Sequence, residues 1–249
     1  MGVIPMAVVT VVTAAALWGG FLHAIGLRGA RSLLLLLLVP LPLSALINIL
    51  VKRPLILGLV GPDAAAIDLS VQPAWTLAVL LFVAPFTEEA VKLLPLAIPA
   101  IARLARAERG AARVGFGLGI GFGIGEALYL AFRVSADPRY ADTPWYAFTG
   151  YLIERLTACF IHGALTAIVV TRLYRPWPAP LLGYGSAVAL HAAANLGPLL
   201  YQAHALSAEV AWVLVAPVIV VLTVIFERLR GRPVEGRSDV EELYRRPAD

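Results

Sequence analysis

A chain of 249 residues with 60% hydrophobic and 14% charged residues departs from soluble domains, which run at roughly 45–50% apolar and about 25% charged. A mean hydropathy of +0.82, spread along the whole chain, excludes a soluble enzyme on a single anchor, and the lone cysteine, Cys159, excludes a disulfide scaffold. The formal charge of +4 comes from Lys and Arg placed between apolar spans, as membrane orientation requires, so nucleic acid is excluded as a partner.

Apolar stretches of about 20 residues predict seven transmembrane helices, near residues 3–27, 32–51, 74–101, 114–132, 148–171, 179–200 and 209–226. The first lacks the basic n-region and cleavage site of a secretory signal, so it reads as a retained helix. Residues 55–72, with Gly61, Pro62, Asp63 and Asp68, read as an extracytoplasmic loop or a shallow re-entrant segment, and an eighth span there is the alternative. Residues 227–249 are polar and form a tail beyond a bundle of residues 1–226. The predicted class is an all-α integral membrane protein, a polytopic helix bundle that passes the cell membrane many times.

Lys and Arg resist translocation, so their distribution orients such a bundle. One side collects Arg28, Arg31, Arg103, Arg106, Arg109, Arg113, Arg172, Arg175 and six tail arginines, which is 14; the other has Lys52, Arg53, Arg133 and Arg139, which is 4. The expectation is an N-terminus outside and a C-terminus in the cytoplasm.

Several polar residues fall inside the spans. Glu88, Glu89 and Lys92 lie in the third, Glu126 in the fourth, Arg155 and His162 in the fifth, and His191 with Asn195 in the sixth. At about 3 kcal/mol per charged residue, three Glu and one Lys cost on the order of 12 kcal/mol to insert, and no structural need explains that. Counted from the nearest cytoplasmic arginine, Glu88, Glu126, His162 and His191 lie 15, 13, 10 and 16 residues deep. At 1.5 Å per residue that is one layer roughly 15–24 Å into the bilayer. Glu88 and Lys92 are spaced i,i+4, and Glu89 and Lys92 i,i+3, so one ammonium can reach two carboxylates. Arg155 reads either as a second cation for the layer or as an interfacial anchor paired with Glu154.

The fourth span has glycine at 115, 117, 119, 121, 123 and 125, ending on Glu126. The alternation allows close approach by neighbouring helices or by an extended peptide. It does not produce the Gly-x-Gly-x-x-Gly spacing of a phosphate loop.

These residues resemble the PrsW-type intramembrane proteases, relatives of the CAAX-processing and bacteriocin-processing membrane endopeptidases. Glu88-Glu89-Ala90-Val91-Lys92 is similar to the family's Glu-Glu-x-x-Lys, and Gly119-Ile120-Gly121-Phe122 followed by Glu126 to its Gly-x-Gly-Phe-x-x-x-Glu. Arg155, His162 and Thr166 resemble the third motif, and His191 with Asn195 the fourth, His-x-x-x-Asn. Ala127 stands where the family often has Asn. The CAAX-processing relatives space their first motif differently, which makes prenylated substrates the weaker match. The resemblance implies cleavage of membrane-embedded substrates, such as single-pass anti-sigma factors or small membrane peptides.

Peptide hydrolysis needs a base to activate water, a stabiliser for the oxyanion and an acid for the leaving amine. Glu88 or Glu89 is the expected base; Lys92, Glu126, His162 and His191 complete the site, and Asn195 or Arg155 stabilises the oxyanion. Glu126, His162 and His191 supply the two imidazoles and one carboxylate that suit catalytic zinc. A metal-free glutamic mechanism, in which a histidine and a glutamate activate water together, is the alternative. A proton-coupled or ion-coupled carrier and a non-catalytic membrane scaffold are the competing functions, since intramembrane Glu, His and Lys also build ion pathways.

Overall fold

A computed structural model describes residues 2–61, 68–107 and 110–231. Among them there is no strand, and ten α-helices follow one another. They are α1 Ile4–Ala24, α2 Ala30–Leu38, α3 Leu41–Ile47, α4 Arg53–Val60, α5 Ala74–Val91, α6 Pro99–Arg106, α7 Gly110–Ser135, α8 Thr149–Leu173, α9 Ala179–Gln202 and α10 Ala208–Arg230. The residues beyond Gly231, where most of the expected tail lies, are outside the described residues, as are Pro62 and Asp63.

The chain is inside-out relative to a soluble protein. Leu50, Phe82, Phe86, Val213 and Val220 are exposed, while Glu88, Glu89, Lys92, Arg155, His162 and His191 are buried. Only a lipid solvent makes that distribution favourable. By length and composition, five stretches can cross a membrane: α1, residues 30–59, α7, residues 145–173 and α10. The protein is therefore a multi-pass membrane protein. The segments expected at 74–101 and 179–200 are not among the five. In α9 the reason is compositional, because glycines, His191 and Asn195 dilute its apolar residues.

Two boundaries differ from the expectation. The helix expected over 74–101 stops at Val91, gives way to a 3-10 turn at Leu94–Ala97, and resumes as the short α6. Pro95 and Pro99 explain the break: proline has no N–H to donate, and it disfavours the helical backbone of the residue before it. The second span is longer than 32–51, because α2, α3, a π turn at Asn48–Lys52 and α4 continue it to Val60. Residues 53–60, part of which was expected in a loop, are thus helical. Lys52, expected among the outer-loop cations, lies within this stretch and points into the bundle.

The middle of the bundle is α7, packed along α8 and against α1, α2, α3 and α6. Its alternating glycines form two stripes, each spaced i,i+4. Gly115, Gly119 and Gly123 lie against the backbone of α8 at Ala167, His162 and Cys159. Gly117, Gly121 and Gly125 meet Leu36, Leu37 and Leu41 on the other side. A Cβ on Gly121 would sit 2.5 Å from the Leu37 carbonyl oxygen. The glycines serve helix packing on two faces, and the backbone contact they allow is what draws α3 and α8 onto α7. An aromatic cluster of Trp18, Phe21, Phe116, Phe160 and Phe226 ties α1, α7, α8 and α10 together at one end.

Candidate active site

Four helices and the π turn bring the polar residues together. Glu88 and Glu89 occupy the last turn of α5, and Lys92 caps it, its N–H bonded to the Glu88 carbonyl. Adjacent positions on a helix differ by about 100°, so the two glutamates face different partners. Glu89 is fully buried and accepts from Lys92 Nζ at 2.7 Å and from His191 Nδ1 at 2.7 Å, both on Oε1. Glu88 accepts from Lys52 Nζ at 2.6 Å on Oε1, and its Oε2 lies 3.8 Å from His191 Nε2.

His162 sits between a cation and a carboxylate. Lys92 Nζ lies 2.8 Å from its Nδ1, and its Nε2 lies 3.2 Å from Glu126 Oε2. Phe122 wedges the arrangement, its ring edge-on to His162 at 5.4 Å and 4.9 Å from Lys92 Nζ. Arg155 donates from Nη1 to Glu126 at 2.9 Å and from Nη2 to Glu154. Both readings of Arg155 thus hold part of the truth: it pairs with Glu154, and it is buried and serves the layer through Glu126. Thr166 donates to the His162 carbonyl at 2.8 Å, a bond within α8.

A cavity of about 930 Å³ is lined by Lys52, Glu88, Glu126, Arg155, His162, His191 and Asn195, with apolar walls from α5, α8, α9 and α10. Glu89 and Lys92 do not line it and stand behind it. Each of the eight residues expected to act in catalysis therefore lines the cavity or stands directly behind it, while Thr166 bonds within α8 instead. Lys52 is the residue that sequence reasoning missed. Lys52 directly follows an apolar run, where a lysine can reach the interface at little cost, and with Arg53 and Pro54 beside it, it read as a loop cation.

One group of possible metal ligands appears among the described residues: Glu88, His162 and His191, whose ligand atoms all lie within 4.8 Å of one another. The carboxylate in this group is Glu88, where the sequence suggested Glu126. Two donors are well prepared. His191 donates from Nδ1 to Glu89, which leaves the Nε2 lone pair facing Glu88, the carboxylate–histidine support usual behind metal ligands. Glu88 Oε2 is buried and has no hydrogen-bond partner. At His162 a charged Lys92 favours the Nε2–H form, so holding a cation there requires the amine form of Lys92 or a turned ring. The donor set is two imidazoles and a carboxylate, and it fits a divalent cation, most completely at Glu88 and His191.

A family model described as PrsW family intramembrane metalloprotease matches residues 7–223. No curated protein and no solved structure matches the chain. The four motifs identified in the sequence fall within the matched residues, and their side chains meet around one cavity, so the chain belongs to the PrsW family of intramembrane metalloproteases.

Proposed function

We propose that the protein hydrolyses a peptide bond of a single-pass membrane segment, with water activated between Glu88, Glu126, His162 and His191. The observation that carries the reading is the meeting of Glu88, His162 and His191 within 4.8 Å beside a cavity that Glu126 also lines. Glu88, His162 and His191 would hold a divalent cation, with zinc the best match to the donors. When bound, such an ion polarises the substrate carbonyl and makes water acidic enough to lose a proton near neutral pH.

The protein's own groups do the rest. Glu126 and Glu154 are the carboxylates outside the ligand group that line the cavity, and Glu126, which also contacts His162 of that group, accepts the proton of the attacking water and returns it to the leaving amine. Arg155 holds Glu126 in place. Glu89 is too buried to meet water; it fixes the His191 ring, and Lys92 fixes Glu89 and His162. Asn195 lines the cavity half-buried, where its amide can bind the substrate backbone. With Lys52 inside the bundle, the charge bias becomes 14 to 3. That bias supports a cytoplasmic C-terminal end.

One observation favours a second reading. The Lys92 to His162 contact and the His162 to Glu126 bond already form a relay in which a histidine and a glutamate could activate water without metal. The protease reading itself is tested by reconstituting the full chain with single-pass membrane peptides and identifying products by mass spectrometry. Cleavage is expected within the membrane segment, and Glu89→Gln should slow it by about 10- to 100-fold, the usual cost of losing support behind a metal ligand. Ion flux with no cleavage would instead make the protein a carrier.

A further inference from the structure

Acyl transfer is accelerated most by donors aimed at the oxygen that gains charge, in a site from which water is excluded. Three cations stand in the polar layer, and their partners differ. Lys92 is fully buried, lies behind the cavity, and is occupied by Glu89 and His162. Arg155 lines the cavity, but a carboxylate sits on each of its two Nη atoms, and its Nε is buried. Lys52 also lines the cavity, spends one hydrogen bond on Glu88 Oε1 at 2.6 Å, and has no other hydrogen-bond partner among the described residues. An ammonium carries three donors, so two remain beside the carboxylate of the ligand group.

Its position is built for this. Lys52 closes the π turn Asn48–Lys52, and such turns are frequent at functional sites. The turn interrupts a helix whose neighbouring residues Ile49, Leu50, Val51 and Leu55 face lipid, so the interruption delivers one charged side chain inward from an otherwise lipid-facing wall. Upstream, the end of α2 meets Gly121 and the start of α3 meets Gly125, both through backbone, which anchors the helix that leads into the turn.

We propose that Lys52 is a catalytic residue whose ammonium, held against Glu88, donates to the carbonyl oxygen of the scissile peptide as that oxygen becomes anionic. The inference rests on the protease reading. The water oxygen bonds to the carbonyl carbon, and the carbonyl electron pair moves to oxygen. That pair returns when the C–N bond breaks and the amine leaves with the proton taken from water. Lys52 keeps its protons throughout and contributes hydrogen bonds alone.

The test uses the full-length protein in liposomes, a single-pass peptide that the wild type cleaves, and a phosphinic analogue of that peptide. Lys52→Met should lower kcat by about 10²- to 10³-fold, the cost of losing one oxyanion donor, with KM within about threefold. Lys52→Arg should recover at least about a tenth of the rate, and Arg53→Met should match the wild type. The phosphinic analogue, which carries an anionic oxygen in place of the carbonyl, should lose affinity in step with kcat/KM while an uncleaved peptide binds unchanged. A purely structural Lys52 would weaken both ligands alike. If Lys52→Met does not fold, Lys52→Arg decides by the same comparison, and unequal changes in analogue affinity and kcat/KM overturn the proposal. Wild-type kcat in Lys52→Met, with Glu88→Gln inactive, overturns this inference alone. A wild-type protein that cleaves no single-pass segment overturns the protease reading and this inference with it.

Discussion

Glu88→Gln is expected to reduce cleavage by at least about 10³-fold while leaving the protein in the membrane. Glu88 is the carboxylate of the Glu88, His162 and His191 group, and its Oε2 is the buried oxygen without a partner. An amide at this position is a poor cation ligand, and its N–H₂ could turn toward His191 Nε2, 3.8 Å away, and cap the lone pair left for chemistry. Insertion should not suffer, since the change removes a charge from the bilayer. It does leave Lys52 without its carboxylate, so a modest loss of thermal stability is expected beside the loss of activity. His191→Ala should match it in rate. Kinetics on the reconstituted protein check both, and near-wild-type turnover in Glu88→Gln would remove Glu88 from the chemistry.

The second large effect is on assembly. Gly119→Ala puts a methyl group into the His162 carbonyl and into van der Waals overlap with Gly163 of α8. Overpacking of this kind typically costs 1–3 kcal/mol, and here the obstacle is backbone, which yields less than a side chain, so about 3 kcal/mol or more is expected. Because α7 carries Glu126 and α8 carries His162, separating them also opens their 3.2 Å contact. Gly185→Ala in α9 is the control, since nothing lies within 4 Å of the added methyl, and helix propensity favours Ala by about 1 kcal/mol. Thermal unfolding in detergent should move down for the first variant and unchanged or up for the second. A Gly119→Ala protein that melts with the wild type would mean that α7 and α8 are not in backbone contact.

Much of the site could be read from the sequence because burying charge in lipid is costly. Glu88, Glu89, Lys92 and Glu126 stood out for that reason, and the i,i+3 spacing anticipated the Lys92 to Glu89 bond at 2.7 Å, whereas the i,i+4 partner expected for Lys92, Glu88, bonds to Lys52 instead. The depth count brought four helices to one layer, and their side chains do meet there. What could not be read was rotation about helix axes. Whether Glu88 or Glu126 joins the histidines depends on how α5 and α7 are turned, and no spacing within either helix encodes that. Lys52 was hidden for a related reason, since its inward direction follows from a π turn that has no sequence signature of its own. The end of α5 was legible in Pro95 and Pro99, but the apolar residues around them suggested one continuous span. The glycine alternation shows the opposite case: two i,i+4 stripes were already in the sequence, and the structure supplies a helix for each.

The central claim, that Glu88, His162 and His191 make this family member a metal-dependent protease, is tested most directly by measuring bound metal and cleavage on the same samples. Purified wild type is analysed by inductively coupled plasma mass spectrometry before and after chelation and after zinc is returned, with Glu88→Gln and His191→Ala alongside. The account predicts about one divalent ion per chain in the wild type and little in either variant, with cleavage falling as the ion is removed and returning with it. Metal-free wild type that cleaves at the full rate would contradict the account and assign the water to Glu126 and His162.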